Sequence, residues 1–326
     1  MRVFVNKVIP DLGMKLMQDA GIEVTVWKQE RPLDREEAIA YCKGHDAFLN
    51  VGQKGVDADF LRQCRHLKVI ALHSVGFDNV DVEEATRLKI PIGNTPFVLN
   101  RATAETALLL MLTVSRKALY MHKKIAFGGW GISQPTKDLG MDLYGKTLGI
   151  VGLGRIGAEF GRMAGRALGM KIIYYNRNPN PAAEKELDAR LVTFDELLAE
   201  SDVVSVHTAL TEETKGRFGR EAFEKMKRSA IFINTARGGI HHEKELTEAL
   251  QKNVIWGAGL DVTDPEPMHP DNPLLEMENA VVFPHIGSAT KETRDAMSRL
   301  AAENIIAGLK GEELPYPVNP EIYEEG

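Results

Sequence analysis

Cysteine is scarce in this chain: only Cys42 and Cys64 occur among 326 residues. Both fall in polar, helix-like stretches without metal spacing. Neither a disulfide framework nor a metal site is expected, and the cytoplasm is the default compartment. Long apolar runs are also missing. The longest, Ala107–Leu112, falls far short of the roughly 20 residues that cross a bilayer, so no membrane partner is expected. The opening MRVFVNKVIP is too short an apolar stretch for a signal peptide. No block of basic residues stands out. With 40 Lys+Arg against 46 Asp+Glu the net charge is −6, which argues against nucleic acid as a partner. Repeats and low-complexity segments are absent.

What is there is an ordinary globular balance, 44% apolar and 26% charged, in a chain long enough for about two domains. Short β-rich runs alternate with longer amphipathic stretches, the pattern of βαβ units around a parallel sheet. Strands are predicted at Val3–Val5, Val24–Trp27, Ala47–Asn50, Val69–Leu72 and Ile90–Ile92, with helices at Leu33–Lys43 and Asp57–Cys64 among them. One dense apolar helix is predicted from near Arg101 to Lys124, followed by a Gly/Pro-rich loop. The pattern then restarts with strands at Thr147–Val151, Lys171–Tyr175, Asp202–Val206, Ala230–Asn234, Ile255–Leu260 and Ala280–Phe283. A last helix is expected at Lys291–Leu309. The fold class is α/β, with two doubly wound parallel-sheet domains. Residues 101–290 would form a Rossmann-type dinucleotide-binding domain. Residues 1–100 plus 291–326 would form a discontinuous substrate domain.

Residues Thr147–Gly157 read TLGIVGLGRIG, which places Gly152, Gly154 and Gly157 in a G-x-G-x-x-G. The run follows strand formers and opens a helical stretch through Arg155 and Ile156, the context a dinucleotide fingerprint needs. Gly152 would allow the tight turn, Gly154 the approach of a pyrophosphate, and Gly157 close helix packing. The next strand ends in Asn176-Arg177. An acid there would bind the ribose 2′-hydroxyl of NAD, whereas an arginine suits the 2′-phosphate of NADP. No acid occurs between Gly161 and Pro181, so NADP is the expected preference, with NAD as the other choice.

Three residues near strand ends carry the remaining chemistry. Arg237 directly follows a strand, and its fork suits a planar carboxylate. His285 follows another strand, and histidine is the side chain suited to donate a proton near neutral pH. Glu266 lies on a Pro-flanked loop after a third, where a carboxylate beside His285 would orient the ring. Reduction of a 2-keto acid needs this set: a fixed cation, a general acid, and a hydride donor held against the carbonyl carbon. His241-His242 has no third ligand at metal spacing and reads as a solvated helix start.

The chain resembles the D-isomer-specific 2-hydroxyacid dehydrogenases. The likeness is carried by SVGFDNVD at Ser74–Asp81, the glycine loop, NTARGG at Asn234–Gly239, GLDVTDPEP at Gly259–Pro267 and PHIGSAT at Pro284–Thr290. The last two blocks look closest to glyoxylate/hydroxypyruvate reductases. The resemblance implies that Arg237, Glu266 and His285 are the catalytic residues. It implies substrate contacts at Val51, Gly52, Ser74, Val75 and Gly76, besides Arg237 and His285. It also implies cofactor contacts at Thr103, Ala236 and Asp261, with His207 and Thr208 on the adenosine side. A homodimer that closes its domains over the substrate is expected. Trp130 would reach a neighbouring site or sit in the core, and Trp256 would pack in a strand or crowd the pocket. Formate dehydrogenases carry glutamine where Glu266 stands. Phosphoglycerate dehydrogenases often add a C-terminal domain, for which no room is expected. The alternative is a non-enzymatic NAD(P)-sensing interaction protein of the same fold.

Overall fold

The computed structural model describes residues 1–132 and 134–324. The chain divides into two units: Met1–Leu99 with the stretch from Ala289 onward, and Asn100–Ser288. Unit 1 holds a five-stranded sheet in the order β2-β1-β3-β4-β5, all parallel. Its strands are β1 (Arg2–Val5), β2 (Glu23–Val26), β3 (Ala47–Asn50), β4 (Val69–Leu72) and β5 (Ile92–Gly93). Every residue of β3 and β4 is buried, as a parallel sheet covered on both faces requires. Helices α1 (Asp11–Asp19), α2 (Arg35–Lys43), α3 (Ala58–Gln63) and α4 (Val82–Arg87) are joined by α12 (Lys291–Lys310) from the far end of the chain. Asp34, Asp57 and Asp81 start α2, α3 and α4 by accepting a first-turn amide on the side-chain oxygen.

Unit 2 holds seven parallel strands in the order β12-β11-β10-β9-β6-β7-β8. These are β6 (Thr147–Val151), β7 (Lys171–Tyr175), β8 (Arg190–Leu191), β9 (Val203–Val206), β10 (Ile231–Asn234), β11 (Gly257–Leu260) and β12 (Ala280–Val282). The chain winds one way from β6 to β8 and the other way from β9 to β12, so the switch point lies between β6 and β9. Ligands of such sheets bind in the crevice at that point, beyond the carboxyl ends of the strands. The helices are α5 (Asn100–Ser115), α6 (Ala118–Ala126), α7 (Arg155–Leu168), α8 (Pro181–Leu187), α9 (Phe194–Glu200), α10 (Arg220–Lys225) and α11 (Glu243–Gln251).

Four local expectations need correction. The single helix from Arg101 to Lys124 is two helices, α5 and α6. Lys117 between them takes a left-handed φ of 50°, and the Ser115 carbonyl accepts from the Met141 amide at 2.7 Å instead of continuing the ladder. The strand expected at Ile90–Ile92 starts only at Ile92, because Pro91 has no amide to enter the ladder. Trp256 lies just before β11, at the amino end of the sheet, with Lys117 Nζ 5.3 Å from its ring centroid. It therefore packs away from the carboxyl edge where ligands bind. Cys42 lies in α2 and Cys64 at the end of α3, both buried and unbridged. His241 is buried, with Nδ1 3.1 Å from Asn234 Nδ2, and only His242 is a solvated helix start.

Buried histidines, His73 and His241 among them, tie the fold to pH. Burial pushes His73 down to about 4, with nearby Arg294 adding to it, and pushes His241 down to about 4, with His242 adding. Both imidazoles are neutral in the fold. Between pH 6.5 and about 4 the unfolded chain takes up protons that the folded chain refuses, so stability falls as pH falls through that window. The scale is roughly 3 kcal/mol for each ring. We expect the urea midpoint to drop across this range, and His73→Leu to drop less steeply than wild type. Parallel curves for the two proteins would exclude a neutral His73.

Candidate active site at the carboxyl edges

The glycine loop sits at the switch point of unit 2. Register pairs Val151 with Val206, so Gly152 meets His207 at the next rung. Gly152 has φ +97°, and a Cβ there would lie 2.7 Å from the His207 carbonyl carbon and 2.8 Å from the Thr208 nitrogen. Only glycine fits both demands. Gly154 is different: it caps α7, and a Cβ there would meet nothing within 4 Å. An open approach to the N-terminus of a helix of 14 residues is the cradle a pyrophosphate needs, so these residues fit a dinucleotide. Arg155 is exposed at the first turn, Ile156 is half-buried and Gly157 is buried. Asn176 braces the loop from beside it, accepting the Leu153 amide at 2.7 Å, and Asn180 donates to the Leu153 carbonyl at 2.8 Å. The His207 ring is already engaged: Nε2 lies 2.8 Å from Ser205 Oγ, and burial pushes it down to about 3.

Arg177 extends into solvent with 84% of its side chain exposed, and Nη1 lies 3.9 Å from Glu213 Oε2. This pair is long and exposed, so it holds the guanidinium weakly. Glu213 was not visible as a neighbour in the sequence, because it arrives from the loop after β9 rather than from the strand end that carries Arg177.

Three further loops leave adjacent strands on the other side of the switch point. Asn234, the last residue of β10, pairs with Leu260 of β11, and Leu260 with Val282 of β12. The segments that follow carry Arg237, Asp261, Glu266 and His285. Buried Asn234 braces the first, donating to the Arg237 carbonyl at 2.9 Å and accepting the Ala236 amide at 2.9 Å. Arg237 and Ala236 are half-buried. Asp261 is 1% exposed and accepts the Ile286 and Gly287 amides at 2.7 Å each. His285 has φ +54°, a left-handed conformation that costs a non-glycine residue energy unless its surroundings enforce it. Burial raises the Asp261 carboxyl above the usual range, against the pull of those two amides and of His285. Buried Thr103 lines the same turn: a Cβ at Gly287 would lie 3.4 Å from its methyl carbon and 2.9 Å from Asp261 Oδ2.

His285 Nδ1 donates to Glu266 Oε1 at 2.6 Å, with both side chains partly exposed. A carboxylate can only accept, so the bond fixes the proton on Nδ1 of the neutral ring and leaves Nε2 directed to other partners. The pair can hold and pass a proton at Nε2, with the carboxylate fixing the tautomer and orientation of the ring.

In unit 1 the expected substrate residues also lie at the carboxyl edge. The Val51 amide donates to Asn6 Oδ1 at 2.7 Å, and Gly52 has φ +71°. Asn6 follows β1 and Val51 follows β3, the pair of strands at this sheet's own switch point. At Ser74–Gly76, Ser74 Oγ donates to the Gly76 carbonyl at 2.7 Å.

A parallel sheet in Rossmann order, with a glycine loop at its switch point, defines a dinucleotide-binding domain. The family model for the D-isomer specific 2-hydroxyacid dehydrogenase NAD binding domain matches residues 108–287. A glyoxylate reductase of Korarchaeum cryptofilum is 42% identical, covering 98% of this chain and 96% of its own. One from Thermococcus litoralis is 41% identical over 98% and 97%. Among solved structures, the TT0316 protein of Thermus thermophilus matches with TM-score 0.91 at 42% identity, over 98% of this chain and all of its own. A glyoxylate reductase from Paecilomyes thermophila matches with TM-score 0.86 at 34% identity, over 98% and 99%. The chain belongs to the D-isomer-specific 2-hydroxyacid dehydrogenases.

Proposed function

We propose that the chain reduces a small 2-keto acid, glyoxylate or hydroxypyruvate, to the D-2-hydroxy acid. The observation that carries this reading is the His285–Glu266 hydrogen bond of 2.6 Å at the strand edge that also bears Arg237. A sensing module has no use for a carboxylate-oriented imidazole there, so the non-enzymatic alternative is set aside. Arg237 holds the substrate carboxylate and polarises its ketone. His285 protonates the ketone oxygen from Nε2. Glu266 keeps the ring oriented, while Asp261 fixes the turn that presents it. Bound at Gly152–Gly157, with Thr103, Ala236, His207 and Thr208 lining its path, NAD(P)H supplies the hydride to the carbonyl carbon. In unit 1 we assign the backbone N–H groups of Ser74, Val75 and Gly76 to the substrate carboxylate, with Val51 and Gly52 beside it. The buried, unbridged cysteines suit a reducing cytoplasm, which cell fractionation would check.

Reduction consumes the imidazolium form, so its rate should fall as pH rises, while oxidation of the hydroxy acid should show the opposite limb. Glu266→Gln loses the carboxylate that orients the ring, so the rate of reduction should fall. Its maximum should fall less than that of His285→Ala, and Arg237→Ala should raise KM strongly while also lowering kcat. A near-normal kcat for His285→Ala would defeat the assignment.

We further propose NADP as the preferred cofactor, from Arg177 at the end of β7. Arg177→Ala should weaken NADPH by about 1–3 kcal/mol and leave NADH nearly unchanged. Glu213→Gln should strengthen NADPH by removing a carboxylate from beside the phosphate position. Fluorescence titration with both cofactors reads this, and equal losses for the two on Arg177→Ala would refute it.

A homodimer is proposed from the surface of unit 2. No residue of α6 is buried, and Phe127, Trp130 and Ile132 follow it at 86%, 77% and 96% exposure. Large apolar side chains exposed to this degree call for a cover, and a second copy supplies it. Light scattering should give twice the chain mass for wild type and a lower mass for Phe127→Glu combined with Ile132→Glu. A monomeric wild type would rule it out.

A further inference from the structure

Within unit 1, the loop Ser74–Gly76 has an uneven distribution of backbone bonds. All three carbonyls are taken. Ser74 O accepts from the Thr95 amide at 2.9 Å, Val75 O from Asn94 Nδ2 at 2.8 Å, and Gly76 O from Ser74 Oγ at 2.7 Å. The amides of Ser74, Val75 and Gly76 have no partner among the described residues. Successive free N–H groups with their carbonyls turned away form a concavity suited to an anion. What turns the central carbonyl away is a single side chain, that of Asn94.

Asn94 is itself rigidly placed. It follows β5, and its amide donates to the Tyr316 carbonyl at 3.1 Å. Its carbonyl accepts from Nδ2 of Asn304 at 2.9 Å, and Asn304 Oδ1 accepts the Tyr316 amide at 3.2 Å. Asn304, on α12, is fully buried. A Cβ on the preceding residue, Gly93, would lie 2.5 Å from Asn304 Cγ, so the close seating of the two depends on glycine there. The helix and the tail that return from the far end of the chain thus fix both main-chain polar groups of Asn94. Its amide side chain is left one task, the Val75 carbonyl.

We propose that Asn94 is a positioning residue for the reaction: by holding the Val75 carbonyl it keeps the amides of the Ser74–Gly76 loop directed at the substrate carboxylate. The proposal rests on the assignment of that loop to the carboxylate. Asn94 touches neither substrate nor cofactor. Its loss therefore acts on carboxylate affinity, not on proton or hydride transfer.

The test compares Asn94→Ala, Asn94→Asp and Val75→Pro in the full chain. It measures KM and kcat for glyoxylate, Kd for oxamate as an unreactive carboxylate probe, Kd for the cofactor, and the melting temperature. Asn94→Ala should raise the glyoxylate KM and the oxamate Kd about tenfold, the scale of one lost hydrogen bond. The kcat at saturating glyoxylate and the cofactor Kd should stay near wild type. Asn94→Asp is isosteric but sets a carboxylate against the Val75 carbonyl, so it should raise both values further. Val75→Pro removes one loop amide directly and should raise them as well. If Val75→Pro raises them and both Asn94 variants do not, the loop binds the carboxylate without Asn94 and the proposal is wrong. If Val75→Pro also leaves them unchanged, the assignment of the loop fails and the proposal falls with it. Parallel losses in KM, kcat, cofactor Kd and melting temperature would make Asn94 merely structural and would equally overturn it.

Discussion

The buried carboxylate of Asp261 accepts two consecutive backbone amides, those of Ile286 and Gly287, at 2.7 Å each. The geometry of the strand-edge chemistry follows from those two bonds. They close a turn in which His285 adopts φ +54°, an uncommon conformation for a non-glycine residue. A carboxylate buried to this degree is costly, and its two charge-assisted bonds are what make it tolerable. The strain at His285 is thus imposed by a rigid, buried anchor at the end of β11. Glu266, later on the same connection, then meets Nδ1 of the ring. One strand end sets both the backbone of the imidazole and the partner of its nitrogen.

Asparagine does the corresponding work at the other loops. Asn234 ties the backbone around Arg237, Asn176 and Asn180 tie the glycine loop, and Asn6 ties Val51. Asn94 and Asn304 tie the Ser74–Gly76 loop. A side-chain amide offers both donor and acceptor without charge. It can satisfy a loop's amides and carbonyls at low desolvation cost, leaving selected backbone groups open. Carboxyl-edge loops cannot continue a strand ladder, yet their polar groups lie close to the core. Uncharged braces resolve that conflict.

Much of the architecture was legible because parallel strands buried on both faces must be continuous apolar runs, and VIAL or IFIN cannot be anything else in this context. The glycine loop was legible because its spacing serves backbone geometry directly, and the placement of Arg237, Glu266 and His285 after β10, β11 and β12 because the strand pattern was clear. At Pro91 the cause was local, but in two other places a distant partner decided. The helix at Arg101–Lys124 breaks because Met141 claims the Ser115 carbonyl, and periodicity within the helix carries no trace of that. His241 is buried by Asn234 and the sheet beneath it, while His242 beside it is exposed. No pattern in the adjacent pair distinguishes them.

The sequence by itself determined the two α/β units, the glycine turn after β6 and which residues follow the ends of β10, β11 and β12. These depend on local periodicity and on glycine where the backbone must turn. Only the tertiary structure decided that Glu213 lies beside Arg177, that Asp261 holds the turn of His285, and that Asn304 reaches Asn94 from 210 positions away. The physical reason is that a hydrogen bond is fixed by where two atoms meet in space. Residues far apart in the chain meet only once the sheets have set which strand ends are neighbours.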